Sequence, residues 1–326
     1  MTSIRLPSIA AVSSPSMRVW RLVLFTGTVL GAGALLSKGL IDDGVDPFVV
    51  SSLPFLAGGL FACALAHRRG ELEPRAFVPA AILGVTSSAA PALLFNTGFD
   101  YLPAGIVTLI IAIVPVFTAL VAHFMYADER FNAVKGAGLA LAICGVAVLA
   151  LGPGADGDLS TTGLIATLLG TICAGSAAAL ARKYAMGFGA RALIGPQLAV
   201  GGLTALILLP LFGRSVTPDG GFAWWHLPAL IVVLGILSNY FGFRAMLLAS
   251  EIGTTGQVST VSYLIPLYGV IGGALIFGDR ISANVVIGGA IILAAVGIIA
   301  RGSRIVVPGI PAAVADRRAP DTTPAP

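Results

Sequence analysis

Apolar runs of about twenty residues recur along the whole chain, and no other feature restricts the fold as much, because a hydrocarbon layer about 30 Å thick is crossed by a helix of that length. Such runs lie near residues 22–41, 47–66, 76–98, 104–126 and 134–152, and again near 160–181, 191–213, 227–249, 253–278 and 283–300. Composition agrees: 57% of the 326 residues are hydrophobic and 10% are charged, too little polar surface to coat a water-soluble globule of this size. The fold class that follows is an all-α polytopic membrane protein with ten transmembrane helices. Although Arg5, Arg18 and Arg21 precede the first run as they would a signal peptide, the run is too long and further spans follow it. It reads as a retained first helix.

Charge placement sets the orientation. Fifteen basic residues fall at the N-terminus, in alternate loops and in the C-terminal tail: Arg5, Arg18, Arg21, Arg68, Arg69, Arg75, Arg130, Lys135, Arg182, Lys183, Arg191, Arg301, Arg304, Arg317 and Arg318. The opposite side holds Arg214 and Arg280 among the acids Asp42, Asp43, Asp46, Asp100, Asp156, Asp158 and Asp219. Loops rich in Lys and Arg stay inside, so both termini are predicted to be cytoplasmic and the chain a multi-pass protein of the inner (plasma) membrane. The formal charge of +4 is scattered in short clusters and forms no basic stripe, which argues against nucleic acid as a partner. Trp20, and Trp224 with Trp225, sit where helices should meet the headgroups and are expected to be interfacial anchors.

The chain also repeats itself. Displaced by 151 positions, Gly84 falls on Gly235, Ser87 on Ser238, Gly105 on Gly256, Pro115 on Pro266, Asp128 on Asp279 and Gly138 on Gly289. This divides the protein into a tail (1–21), a first five-helix repeat (22–152), a periplasmic linker (153–159), a second five-helix repeat (160–301) and a second tail (302–326). With an odd number of spans per repeat the second copy inserts upside down, giving two inverted five-helix repeats, an architecture common among alternating-access transporters.

The run Gly105 to Pro115 reads GIVTLIIAIVP and is followed by FTALVAHFMYADER and GAGLALAICGV, and the second copy answers with GQVSTVSYLIP, GVIGGALIFGDR and IGGAIILAAVGI. In these motifs the chain resembles the drug/metabolite transporter superfamily, as two tandem EamA-type domains covering about residues 22–300. Lys38, near the end of the first helix, matches a Lys common in such domains. Leu53 and Pro54 stand where family members often carry an Arg in the second helix, and the second acid is Asp279 in place of Glu. The resemblance implies a permease for small organic metabolites, with export the expected direction and amino acids or drug-like compounds the expected solutes. Membrane lipid and a small-molecule solute are then the partners. Proton coupling, facilitated flux, import and homodimer formation all stay open.

Several residues are candidates for the solute pathway. Lys38 either pairs with Asp42 one helical turn on or borders the pathway and attracts an anionic group. Pro115 and Pro266 each free a backbone carbonyl inside an apolar helix, as a packing kink or as a hinge. Gln257, Ser262 and Tyr263 on the ninth helix, Asn239 and Tyr240 on the eighth and Asn96 on the third are polar groups in hydrocarbon. Each either bridges neighbouring helices or faces a wet cavity, with helices 1, 3, 4, 6, 8 and 9 expected to line the path.

Other classes are less well supplied. The glycine run from Gly152 to Gly157 follows an apolar span instead of a strand, no phosphate-binding GxxxxGK[ST] run is present, and His67, His123 and His226 lie in separate segments. The three cysteines show no metal or redox spacing. No catalytic set, cofactor or metal site is therefore expected, and a membrane-embedded enzyme or a non-transporting sensor ranks behind a carrier.

Overall fold

A computed structural model describes residues 15–126, 132–151, 159–217, 221–252 and 261–302. Among them there are no strands, only helices: α1 (Pro15–Asp42), α2 (Pro47–Arg68), α3 (Pro74–Tyr101), α4 (Ala104–Met125), α5 (Ala133–Leu151), α6 (Thr161–Phe188), α7 (Ala190–Leu211), α8 (226–252), α9 (261–277) and α10 (Ala283–Gly302). Seven of these, α1 to α4 and α6 to α8, are long and apolar enough to cross a membrane. The apolar parts of the other three are shorter: Ala133–Leu149, Tyr263–Phe277 and Ala283–Ile298. Large apolar side chains such as Leu60, Ile207 and Leu275 face outward, as lipid solvation allows.

Small residues decide how the helices approach. A Cβ on Gly59 of α2 would lie 2.1 Å from the amide nitrogen of Ala199 on α7, and one on Gly202 of α7 would lie 2.2 Å from that of Leu56 on α2. Backbone therefore rests on backbone, a contact only glycine permits here. Residues 56, 59 and 63 of α2 meet residues 202, 199 and 195 of α7 in that order, so the two helices run antiparallel. The same holds where Gly145 and Leu149 of α5 meet Ile292 and Gly288 of α10, and where Ala104 and Thr108 of α4 meet Gly273 and Gly269 of α9.

The most extensive of the remaining contacts come in matched sets. α1 packs on α8 and α9 as α6 packs on α3 and α4, and α2 packs on α8 as α7 packs on α3. Exchanging the first five helices for the second five leaves these pairings unchanged.

Four helices depart from regular α geometry, α9 by a π-helical turn at its end, Gly273–Phe277. α3 carries a π-helical turn at Gly84–Ala89 and α8 a longer one at Ala229–Gly242, and the 151-residue displacement carries the first into the second. α4 is interrupted at Ala112 and Ile113, just ahead of Pro115, whose ring and missing N–H disfavour the continuous ladder. Pro266, its counterpart, lies inside a helix that continues around it. The two prolines thus sit in different local conformations.

Trp224 is 88% exposed at the start of α8, as an anchor should be, whereas Trp225 turns inward and packs edge-on against His226 with ring centroids 4.6 Å apart. Helix α1 begins at Pro15, ahead of the apolar run that marks it in the sequence.

Gly59→Ala places a methyl against backbone that has no flexible end to move, and the expected loss is about 1–3 kcal/mol, the range for overpacking. Gly187→Ala, with nothing within 4 Å of the added Cβ, should not lower stability and gains from the better helix propensity of Ala. Thermal unfolding in detergent of the two variants and the parent checks the contrast.

Candidate functional site

The break in α4 and the π turns of α3 and α8 border a cavity of about 380 Å³. Its wall is built from both halves of the chain: Leu30, Gly33, Ala34 and Ser37 of α1, Val50 and Phe55 of α2, residues of α3 from Ser87 to Phe99, Ile111, Ala112 and Val114 of α4, Ala174 and Ala178 of α6, residues of α8 from Leu234 to Met246, and Val261 and Ile265 of α9. All six helices expected to line the path contribute, together with α2. Ile111 and Ala112 come from the interruption in α4, and Ser87, Ser88, Ser238 and Asn239 from the π turns of α3 and α8. A π turn displaces side chains from the α-helical register and is often found at functional sites. Here it brings two polar pairs to the wall from corresponding positions of the two halves.

The cavity is apolar with a few neutral polar groups. Phe55, Phe95, Phe99 and Phe243 provide aromatic surface, and among the described residues that line it none is charged. Asn96 is 7% exposed and donates from Nδ2 to Ser51 Oγ at 2.8 Å, while Ser51 donates its own hydroxyl to the Pro47 carbonyl at 2.7 Å. Ser238 donates to the Val29 carbonyl at 3.3 Å, and Gln197 reaches Ser88 Oγ at 3.4 Å.

The other residues picked out by sequence lie elsewhere. Lys38 pairs with Asp42, the local ion pair that their spacing allows, and is absent from the cavity wall. Tyr240 is buried and packs its ring edge-on against Phe61 at 5.2 Å, away from the wall. Tyr263 turns its hydroxyl toward Gly297 of α10. Gln257, the acid run Asp128 to Arg130 and the glycine run from Gly152 lie outside the described residues, as does the side chain of Ser262. Ser51 and Ser37 were missed from sequence. Their signal was a hydroxyl inside an apolar run, which hydroxyls bonded to their own helix share.

At the end of the bundle that holds the α1–α2 loop, the two halves are tied by charge. Asp46 caps α2 by accepting from the Phe48 amide at 2.8 Å, and its other oxygen accepts from Arg214 at 2.8 Å. The Asp46 hydrogen bond pushes the Arg214 guanidinium up from its ordinary value, against the effect of burial. Asp43 Oδ2 lies 2.6 Å from His226 Nε2, while the Ala223 amide donates to Nδ1 at 3.2 Å, so the ring proton sits on Nε2 and is donated to the carboxylate. Gly278, at φ 72°, turns the chain after α9 and brings Asp279 to the start of α4, where Oδ2 accepts from the Ala104 amide at 3.2 Å.

Burial raises the Asp279 carboxyl above its ordinary value, with the Ala104 hydrogen bond and the Lys38 charge opposing. The folded state then holds this proton more tightly than the unfolded chain does. Its unfavourable effect on stability is present above the folded pKa and fades as pH falls toward the unfolded one. Asp279→Asn removes the titration, so parent stability minus variant stability should grow as pH falls from 7 toward 4. Unfolding midpoints of both proteins across that range measure it.

Among known proteins, a relative from Archaeoglobus fulgidus named "Uncharacterized transporter" is 22% identical over 87% of this chain and 99% of its own length. A protein of Escherichia coli named "Probable amino-acid metabolite efflux pump" is 27% identical over 74% of this chain and 83% of its own. A protein of Streptantibioticus cattleyicolor named "Probable terminal-alkyne amino-acid exporter" is 36% identical, but the match spans 43% of this chain and 46% of that protein. One solved crystal structure superposes with a TM-score of 0.61 at 20% identity, covering 91% of this chain and 99% of the other, a likeness of fold alone. The model of the EamA-like transporter family matches residues 19–151 and 161–301, which together make up most of the chain. With apolar helices in number and a cavity between its two matched halves, this chain is a multi-pass membrane protein that belongs to the EamA-like transporter family.

Proposed function

We propose that the protein is a secondary transporter, not an enzyme, that exports small organic metabolites, amino acids or drug-like compounds, by alternating access. The observation that carries this reading is the 380 Å³ cavity walled by helices of both halves, since a site shared by two bodies opens to one side or the other as they rock. Its size falls within the range of small-molecule sites. The same reading takes the chain as ten spans in two inverted repeats. The antiparallel course of α2 with α7, α4 with α9 and α5 with α10, helices that correspond at the repeat displacement, supports it.

The basic loops support cytoplasmic termini, and the α1–α2 loop then lies on the outer side. That end is filled: Leu35 meets Gly272, Gly105 meets Val270, and the pairs Asp43–His226 and Asp46–Arg214 join the halves. The cavity starts beneath that closure at Ser37, Val50 and Phe99 and runs on to Phe243, Met246, Val261 and Ile265 in the half nearer the termini. This conformation is the inward-facing one in our reading, ready to receive a solute from the cytoplasm. Pro115 and the interruption beside it act as the hinge of α4. Lys38 and Asp42 belong to the outer closure.

Flux of radiolabelled amino acids, their amides and cationic amphipaths in proteoliposomes, with and without a pH gradient, tests the function. Solute movement above that of protein-free vesicles is expected for at least one class, and its response to the gradient reports proton coupling. Ala174→Phe, which puts a ring into the cavity wall, should lower that flux at least about tenfold with the yield of folded protein unchanged. No flux above protein-free vesicles for any compound, from protein shown to be folded, overturns the reading.

A further inference from the structure

We infer that Asn96, oriented by Ser51, makes the cavity selective for amphipathic amines: solutes with an apolar body and an ammonium N–H, free or as the α-ammonium of an amino-acid derivative. This rests on the cavity being the solute site. The argument begins with the serine. Ser51 is fully buried and has one proton, which it gives to the Pro47 carbonyl at 2.7 Å. Toward Asn96 it can only accept, so the amide must turn Nδ2 to it, at 2.8 Å. The Ser51 proton on Pro47 goes together with Nδ2 toward the serine and Oδ1 away from it.

What remains is Oδ1. Asn96 lies in the cavity wall, its Oδ1 makes no hydrogen bond to any described residue, and no fully enclosed side-chain atom among the described residues lacks a partner, so Oδ1 is open to the cavity. A carbonyl oxygen nine-tenths buried with its residue, and without a partner among the described residues, is an acceptor waiting for a donor.

The surroundings narrow the donor. Phe95 and Phe99 lie on the same helix and in the same wall, with Phe55 and Phe243 on neighbouring helices, and aromatic faces attract an ammonium. Among the described residues of the wall there is no Lys, Arg or His and no Asp or Glu, so an ion of either sign is desolvated without a counter-charge, and the ring faces with Oδ1 offset that cost for an ammonium alone. The carboxylate of a zwitterion is served by neutral donors: Asn239, Ser37 and Ser87 line the same cavity, and none of them makes a hydrogen bond to another described residue. Quaternary ammonium compounds keep the charge and the apolar body but have no N–H to give. They separate the carbonyl from the rings.

Equilibrium binding to the full-length protein in lipid nanodiscs tests this with three probes of one body: phenethylamine, its N,N,N-trimethyl analogue and phenylacetate. Phenethylamine should bind at least about tenfold more tightly than either of the others, the ratio expected for a hydrogen bond to a charged donor. Asn96→Ala should bring the primary and quaternary amines within about twofold of each other. Ser51→Ala, which frees the amide to turn, should narrow the gap while both amines still bind. The inference is overturned if parent protein binds the quaternary amine or phenylacetate as tightly as phenethylamine, if it binds none of the three, or if the preference survives Asn96→Ala. The wild-type series decides even if a variant does not fold. Flux in proteoliposomes separates the two readings: donor-selective binding without flux removes the transport function and leaves the site, and flux without donor selectivity does the reverse.

Discussion

In hydrocarbon a backbone N–H or C=O without a partner costs several kcal/mol, and the whole architecture depends on meeting that demand within each segment. Helices meet it by themselves, which is why helices and no strands are found among the described residues. The interest lies where they fail to meet it. The interruption ahead of Pro115 and the π turns of α3 and α8 all contribute to one cavity wall, where irregular backbone is shielded from lipid.

With lipid as solvent, apolar side chains gain little by leaving it for one another, so association depends on contact quality. Glycine supplies that quality. Gly59 and Gly202 let α2 and α7 touch backbone to backbone, and Gly145 with Gly288 does the same for α5 and α10. Gly27 and Gly31 of α1 accept Leu264 and Tyr268 of α9, while Gly269 and Gly273 of α9 face Thr108 and Ala104 of α4. α9 is therefore held on two sides by the first half, by α1 and by α4.

Charge is confined to the ends. Asp46 serves two helices at once, capping α2 and holding Arg214, and Arg214 in turn lies over the Phe48 ring at 5.5 Å. His226 was read from sequence only as too isolated to bind metal. Its pairing with Asp43 crosses 183 residues of chain, a separation that no local pattern reports.

The sequence by itself determined the lipid solvent, the two tandem segments and the family resemblance. All of these are carried by length, composition and spacing along the chain. It also placed Asn96 and Asn239 among the wall candidates, and the six expected helices do line the cavity. Only the tertiary structure decided that Lys38, Tyr240 and Tyr263 turn elsewhere, that Ser51 stands behind Asn96, and that α4 breaks where α9 does not. The reason is physical. In a water-soluble helix the buried face is marked by apolar residues against polar ones. In lipid both faces are apolar, so which side of a helix meets a neighbour, a cavity or a hydrocarbon tail depends on small residues finding partners far away in the chain.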